Sequence, residues 1–388
     1  MTFQHQHRWI ILSMFMTAHA VNDGFLWIIP PLLPAVREHF HLSYTEMGAF
    51  YTFFRFFGDI LQAPAAYLVH LAPTFAIISG GLLWLSITMF FASLSTSYSM
   101  LLWISAASGI GRATYHPLAV TILSRVFGRD SLGRAIALHL SGSSIGQVIG
   151  PFLVSLLLSY YSWRLTIQVW SMMGLLAGFS LFFFLKRQKE NLHTTGKTLK
   201  LPFLSRSLGI YMLAEGIWGI TQTGFMTFLP LFLVDYRSFS TEKAAALYGM
   251  MAVAGTIFRP FLGTLMDRMG KRKPVIIGGF IVVTLSILGL TTTKSLWIMY
   301  LYIILLGIFA LGHSGLADTL MVEMVPSQRR EETLGFIYTV RMGTSSLAPI
   351  LVGFLSERIT LVHTFLILAF IPILSALILS LAEEKTVD

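Results

Sequence analysis

Three polar residues interrupt an apolar run near the start of the chain: His19, Asn22 and Asp23, within Thr17-Ala18-His19-Ala20-Val21-Asn22-Asp23-Gly24. The run itself, Trp9 to Val36, is long enough to cross a bilayer. A carboxylate near the bilayer midplane is costly, so such groups face a protein interior or a watery cavity rather than lipid. His19 and Asp23 are four apart and share one helix face. Two chemistries suit them: a buried polar cluster that locks the first helix to its neighbours, or a site that gains and loses a proton while cargo crosses. The same spacing would suit two metal ligands, but one pair without an HExxH or a second dense cluster gives no grounds for a metal site.

Other ionisable residues in apolar surroundings extend the set. Glu215 has no basic residue within four positions, which suits it to carry a proton alongside Asp23 and His19. Arg112 and His116 are four apart and are expected on one face of one helix. Arginine keeps its charge and needs an anion in such a setting. That anion is either Asp23 or Asp59 in a lasting ion pair, or the phosphonate, phosphate or carboxylate of a substrate. Asn22, Tyr115, His139 and Arg341 join Arg112 and His116 as candidate substrate contacts. Arg55 and Asp59, four apart, are expected to neutralise each other as a structural pair. His313, Asp318 and Arg259 are expected near an inner gate.

Composition sets the class. With 388 residues, 55% hydrophobic and 12% charged, and a mean hydropathy of +0.73, the chain is too apolar for a soluble globular protein. Its apolar windows are continuous, which excludes the alternating strands of a β-barrel. No cleavable signal segment is read at the N-terminus. There is no cysteine, hence no disulfide and no thiolate site. No phosphate-binding Gly-x-x-x-x-Gly-Lys-Ser/Thr and no Gly-x-Ser-x-Gly elbow is present, so neither ATP-driven pumping nor hydrolysis is expected, and no cofactor.

Hydrophobic windows predict an all-α membrane protein of twelve helices, near 9–35, 45–69, 74–95, 98–124, 133–159, 163–185, 206–234, 243–266, 274–292, 296–322, 332–356 and 361–381. With the N-terminus inside, seventeen Lys/Arg fall in cytoplasmic segments and six on the other side. The positive-inside rule then puts both termini in the cytoplasm of an inner-membrane, multi-pass protein. The net charge of +9 is thus a topology signal, not a nucleic-acid surface.

The chain repeats itself. Gly24-Phe25 with Pro30 answers Gly224-Phe225 with Pro230, Pro64 answers Pro260, and Gly109-Ile110 answers Gly307-Ile308. Leu132-Gly133 answers Leu334-Gly335, which sets His139 against Arg341. Residues 1–185 and 206–388 therefore read as two six-helix bundles, joined by a basic linker at 186–205. Such duplication is the mark of secondary transporters, which bind substrate between repeats near the midplane. Every third helix lacks interior charge, so these should lie outermost while the rest enclose a polar interior. Gly142, Gly146 and Gly150, followed by Pro151, form a stripe that lets helices approach closely.

Twelve helices in two related halves resemble the major facilitator superfamily. The loop Gly263-Thr264-Leu265-Met266-Asp267-Arg268-Met269-Gly270-Lys271-Arg272-Lys273 resembles its Gly-x-x-x-Asp-Arg-x-Gly-Arg-Lys loop. The resemblance implies a gate or latch role for Asp267 and Arg268. The counterpart, Tyr67 to Pro73, lacks the Gly, Asp and Arg. The stripe of Gly142, Gly146, Gly150 and Pro151 is similar to a motif of proton-driven antiporters. His19-x-x-Asn22-Asp23, Gly109-x-Gly111 with Tyr115-His116-Pro117, and Gly146 to Pro151 resemble the fosmidomycin-resistance group. That resemblance implies a monomeric, proton-coupled exporter of small, often anionic compounds, with protons, membrane lipid and a small molecule as its partners. Uptake of an organic anion or siderophore-like acid is the alternative. A sensor or scaffold without net transport is the reading from another class.

Overall fold

The computed structural model describes residues 5–68, 71–187, 202–326 and 329–383, and every regular element among them is helical. The chain forms two compact units, 1–41 with 50–197, and 42–49 with 198–388. The expected linker lies largely outside the described residues, at 188–201.

In the first unit, α1 (His5–Phe40) packs along α7 (Arg129–Leu158). The glycine stripe explains how. A Cβ at Gly142 would stand 2.4 Å from the Met16 carbonyl oxygen, and one at Gly146 only 2.1 Å from that of Ala20. Only hydrogen fits where α7 lies against the α1 backbone. Around this pair stand α2 (Tyr44–Ile60), α3 (Gln62–Tyr67), α4 (Thr74–Ser93), α5 (Tyr98–Ala113), α6 (Tyr115–Val126) and α8 (Trp163–Arg187). The second unit holds α9 (Arg206–Arg237), α10 (Thr241–Met269), α11 (Lys273–Thr292), α12 (Leu296–Leu306), α13 (Gly312–Met324), α14 (Arg330–Ser346), α15 (Ala348–Ile359) and α16 (Leu361–Ser380).

Three helices expected to be continuous are broken, at Leu61, Thr114 and Leu347. Each break is followed within three residues by proline: Pro64, Pro117 and Pro349. Proline has no N–H to donate and its ring crowds the carbonyl four residues back, so the ladder fails just ahead of it. A fourth long helix is interrupted by a π turn at Gly307–Leu311, between α12 and α13. Serine caps fix other ends. Ser97 Oγ accepts from Met100 N and Ser205 Oγ from Leu208 N, closing the first turns of α5 and α9. Gly270, at φ +63°, ends α10 in the left-handed region that glycine enters freely.

The duplication has a physical imprint. A Cβ at Gly109 would meet Gly58 N at 2.8 Å and Phe54 O at 2.9 Å; a Cβ at Gly307 would meet Met251 O at 2.2 Å. The α2–α5 crossing and the crossing of α10 with the π turn are each closed on glycine, Gly109 in one and Gly307 in the other. Eight described helices are long and apolar enough to cross a membrane. The helix carrying His19 and Asp23 is not among them, nor are the three broken at Leu61, Thr114 and Leu347. The helices without interior charge, α4, α8, α11 and α16, expose apolar side chains such as Phe91, Phe183, Leu285 and Phe370.

Candidate functional site

The break at Thr114 decides the first unit's polar chemistry. Arg112 ends α5 while His116 opens α6, so the expected shared face does not form. Arg112 turns to α2, where its Nη2 donates to Asp59 Oδ1 at 2.5 Å and to the Arg55 carbonyl at 2.9 Å. A Cβ at Gly58 would fall 2.3 Å from that Nη2; the missing side chain is the space the guanidinium occupies. Arg55 reaches the same carboxylate, Nε to Asp59 Oδ2 at 3.4 Å. The expected Arg55–Asp59 pair is therefore a triad of two cations on one anion. Arg112 is 2% exposed, and its Nε has no hydrogen-bond partner among the described residues.

His116 turns instead to α1. Its Nε2 lies 3.1 Å from Asp23 Oδ1, and His19 Nε2 lies 3.1 Å from Asp23 Oδ2. Asn22 Nδ2 donates to Oδ1 at 2.9 Å, and Ser143 Oγ from α7 donates to Oδ2 at 2.6 Å. The other ring nitrogen of His19 lies 3.0 Å from the carbonyl oxygen of His139, so Nδ1 must be its donor. The His139 ring stacks on that of His19, centroids 4.4 Å apart. Tyr115 gives its hydroxyl to the Phe15 carbonyl at 2.5 Å. Asp23 is thus held by two imidazoles, an amide and a hydroxyl, while Arg112 is held by Asp59.

The second unit builds a matching cluster around Glu215, which is 1% exposed. His313 Nε2 lies 2.8 Å from Glu215 Oε1. Arg341 on α14 lies 3.5 Å from Glu215 Oε2 and 3.1 Å from Asp318 Oδ1. Glu215, solitary in sequence, is thus held by a histidine and an arginine from two other helices. His313 and Asp318, expected near a gate, belong to this cluster. The guanidinium of Arg341 also lies over the Tyr338 ring, 5.0 Å from its centroid. Tyr211 Oη donates to the Ala317 carbonyl at 2.9 Å, tying α9 to α13 beside the acid.

Each unit thus holds a buried histidine–carboxylate pair, with the carboxylate on α1 in one and on α9 in the other. The Major Facilitator Superfamily model matches residues 15–342 and 246–387. The chain belongs to the Major Facilitator Superfamily. Its relatives include a probable nitrate transporter, NarT of Staphylococcus epidermidis, 25% identical over 316 residues that span 80% of this chain and 79% of the relative. An uncharacterised transporter of the superfamily from Bacillus subtilis, YybF, is 23% identical over 313 residues, 78% of this chain and 76% of its own. Two solved structures share the fold. A bacterial homologue of the human lysosomal transporter Spinster has a TM-score of 0.81 at 16% identity, covering 98% of this chain and 97% of its own. The nucleoside transporter NupG has a TM-score of 0.81 at 14% identity, covering 96% and 98%. The protein is a multi-pass membrane transporter, in a family of carriers rather than enzymes.

In this superfamily member the loop after α10 is tied by Arg272 rather than Arg268. Arg272 Nη1 donates to Asp267 Oδ1 at 2.6 Å, and its Nη2 to Glu323 Oε1 at 2.9 Å. The Glu323 carboxylate first, and Asp267 second, push the Arg272 guanidinium still higher in basicity, so it stays charged at any working pH. Arg259 lies away from that loop, its Nη2 3.4 Å from the Leu311 carbonyl in the π turn. Three contributors escaped the sequence reading: Ser143, Gly58 and Tyr338. Ser143 sits four residues after His139 on α7, and that spacing was a usable signal. Gly58 and Tyr338 matter only through partners far along the chain, and no local pattern marks them.

The donor atoms of His19, Asp23 and His116 lie within 4.8 Å of one another. The pair on α1 gave too little for a metal; folding brings a third ligand from α6.

Proposed function

We propose that the transporter couples proton movement to the passage of a small anionic or zwitterionic compound across the inner membrane, with export as the favoured direction. Twelve spans in two six-helix bundles, with both termini cytoplasmic, would work by alternating access. The carrying observation is the Glu215 cluster: a fully buried carboxylate held by His313 and by an arginine that also holds Asp318. Protonating Glu215 removes one of the two anions on Arg341, freeing part of that guanidinium for an anionic substrate. Coupling through a direct Asp23–Arg112 contact is replaced by this route, since Asp23 is held by His19, His116, Asn22 and Ser143, and Arg112 by Asp59. Asp23 with His19 remains the second proton-carrying candidate.

An anionic cargo is supported by the other triad. Arg55 and Arg112 share one carboxylate and leave a buried positive charge in need of a partner. Export rests on the fosmidomycin-resistance resemblance and the Gly146 to Pro151 motif. The nitrate assignment of the NarT relatives favours a second reading, proton-driven uptake of a small inorganic or organic anion.

The test is flux in proteoliposomes with a pH gradient imposed in either sense, using nitrate and a phosphonate as cargo. Wild type should move one of them down the proton gradient, and Glu215→Gln should lose at least about tenfold of that flux. The sign of the effective gradient separates export from uptake. Equal flux in wild type and Glu215→Gln refutes the coupling, and no flux of any cargo in wild type would favour a sensor or scaffold.

A further inference from the structure

We propose that His19, Asp23 and His116 form a binding site for a divalent transition-metal ion. This goes beyond the proton and anion reading and does not depend on Glu215. Three observations carry it. The first is the donor set: two imidazole nitrogens and a carboxylate, from α1 and α6, with their ligand atoms inside 4.8 Å. Donors around one tetrahedral zinc stand roughly 3.3 Å apart, as bonds of about 2.0–2.1 Å require. The two imidazoles stand 3.1 Å from different oxygens of Asp23, so those contacts need only a small spreading, while the widest donor pair, within 4.8 Å, closes onto the ion.

The second is the tautomer. With Nδ1–H of His19 committed to the His139 carbonyl, neutral His19 turns the lone pair of Nε2 toward Asp23. Two acceptors then face each other across 3.1 Å, an arrangement that either a proton on Nε2 or a metal ion held by both groups resolves. A backbone carbonyl on the far nitrogen is also the support that metal-binding histidines use to fix ring and tautomer. Ser143 and Asn22 give the carboxylate equivalent outer support. The third is an unused donor: Asn22, wholly buried, leaves Oδ1 without a partner among the described residues.

Access is compatible. His19 and Asp23 are buried, whereas the His116 side chain is 34% exposed and gives the ion an approach. Imidazole with carboxylate suits zinc, cobalt and nickel over magnesium or calcium. Three protein ligands leave a fourth position for water.

Untagged full-length protein in detergent should be titrated with Co²⁺, followed by visible absorption, and with Zn²⁺, followed by equilibrium dialysis and elemental analysis. His5 and His7 lie near the N-terminus, so a His5→Gln/His7→Gln protein is the working background. One ion per chain is expected, with the intense cobalt bands of a four-coordinate site that zinc chases away. Asp23→Asn and His116→Gln should each weaken binding by at least about tenfold. Should either variant misfold, X-ray absorption of the zinc-loaded background protein decides: nitrogen scattering from two imidazoles supports the site. Fewer than two imidazoles at the ion, binding lost with His5 and His7, or stoichiometric binding kept by both variants overturns it.

Discussion

His313 Nε2 approaches Glu215 Oε1 to 2.8 Å with both side chains buried, so the contact binds α13 to α9 inside the second unit. Breaking a buried pair by deleting one partner costs about 3–5 kcal/mol, because the other is left uncompensated. His313→Ala is therefore expected to lower the unfolding temperature clearly, while His313→Gln, which keeps a donor, should lower it less. Removing Glu215 as well should restore part of the loss. Thermal unfolding of the two single variants and the double variant checks this; a double variant no more stable than His313→Ala would contradict a net attractive pair.

Asp59 is the sole carboxylate shown on both Arg55 and Arg112, and its loss leaves two guanidinium groups facing each other. Asp59→Ala should destabilise by about 3–5 kcal/mol. Arg112→Ala should also destabilise, because it removes both Nη2 bonds at once, the one to Asp59 and the one to the Arg55 carbonyl. Gly58→Ala should mimic the loss of Arg112, since the added methyl occupies the guanidinium's place. Expression level and unfolding temperature measured across the three variants should fall together.

Much of this was legible in the sequence, and the exceptions have physical causes. The His19–Asp23 face was readable because it lies within one helical turn. Gly109 and Gly307, paired in the sequence, each close a helix crossing. Arg112 and His116 were expected together, but Pro117 breaks the helix between them and sends each to a different partner. Glu215 looked solitary because its partners lie 98 and 126 residues along the chain, beyond any local window. His313 and Asp318 were expected at a gate from their place toward the cytoplasmic end of their helix; their partners Glu215 and Arg341 come from α9 and α14, which no local pattern reveals.

Arg272, between α10 and α11, bridges Asp267 at the end of α10 and Glu323 at the end of α13, with Asp267 largely exposed. Exposed pairs are worth about 0.2–1 kcal/mol and are screened by salt. A double-mutant cycle on Arg272→Gln and Glu323→Gln should give a coupling in that range at low ionic strength, shrinking at high salt. The transport rate should respond more than stability does if this loop latches a conformation. A coupling unchanged by salt would mean that the pair is far less solvated than its exposure indicates.

The glycine contacts predict a graded series. At Gly146 an added Cβ would stand 2.1 Å from the Ala20 carbonyl oxygen, at Gly142 2.4 Å from that of Met16, and at Gly150 3.0 Å from the Ile28 methyl. The first two obstacles are backbone, which cannot give way; the third is the end of a side chain, which can. Overpacking typically costs about 1–3 kcal/mol, so Gly146→Ala and Gly142→Ala should lie at or above the top of that range and Gly150→Ala near its foot. Gly133→Ala, on the same helix with nothing within 4 Å, should be neutral or slightly stabilising, because alanine is the better helix former. Unfolding temperatures of the four variants test the order. Because α1 carries Asp23 and α7 carries Ser143 and His139, loosening this seam should also weaken transport in the same order, whereas Gly133→Ala should leave it intact.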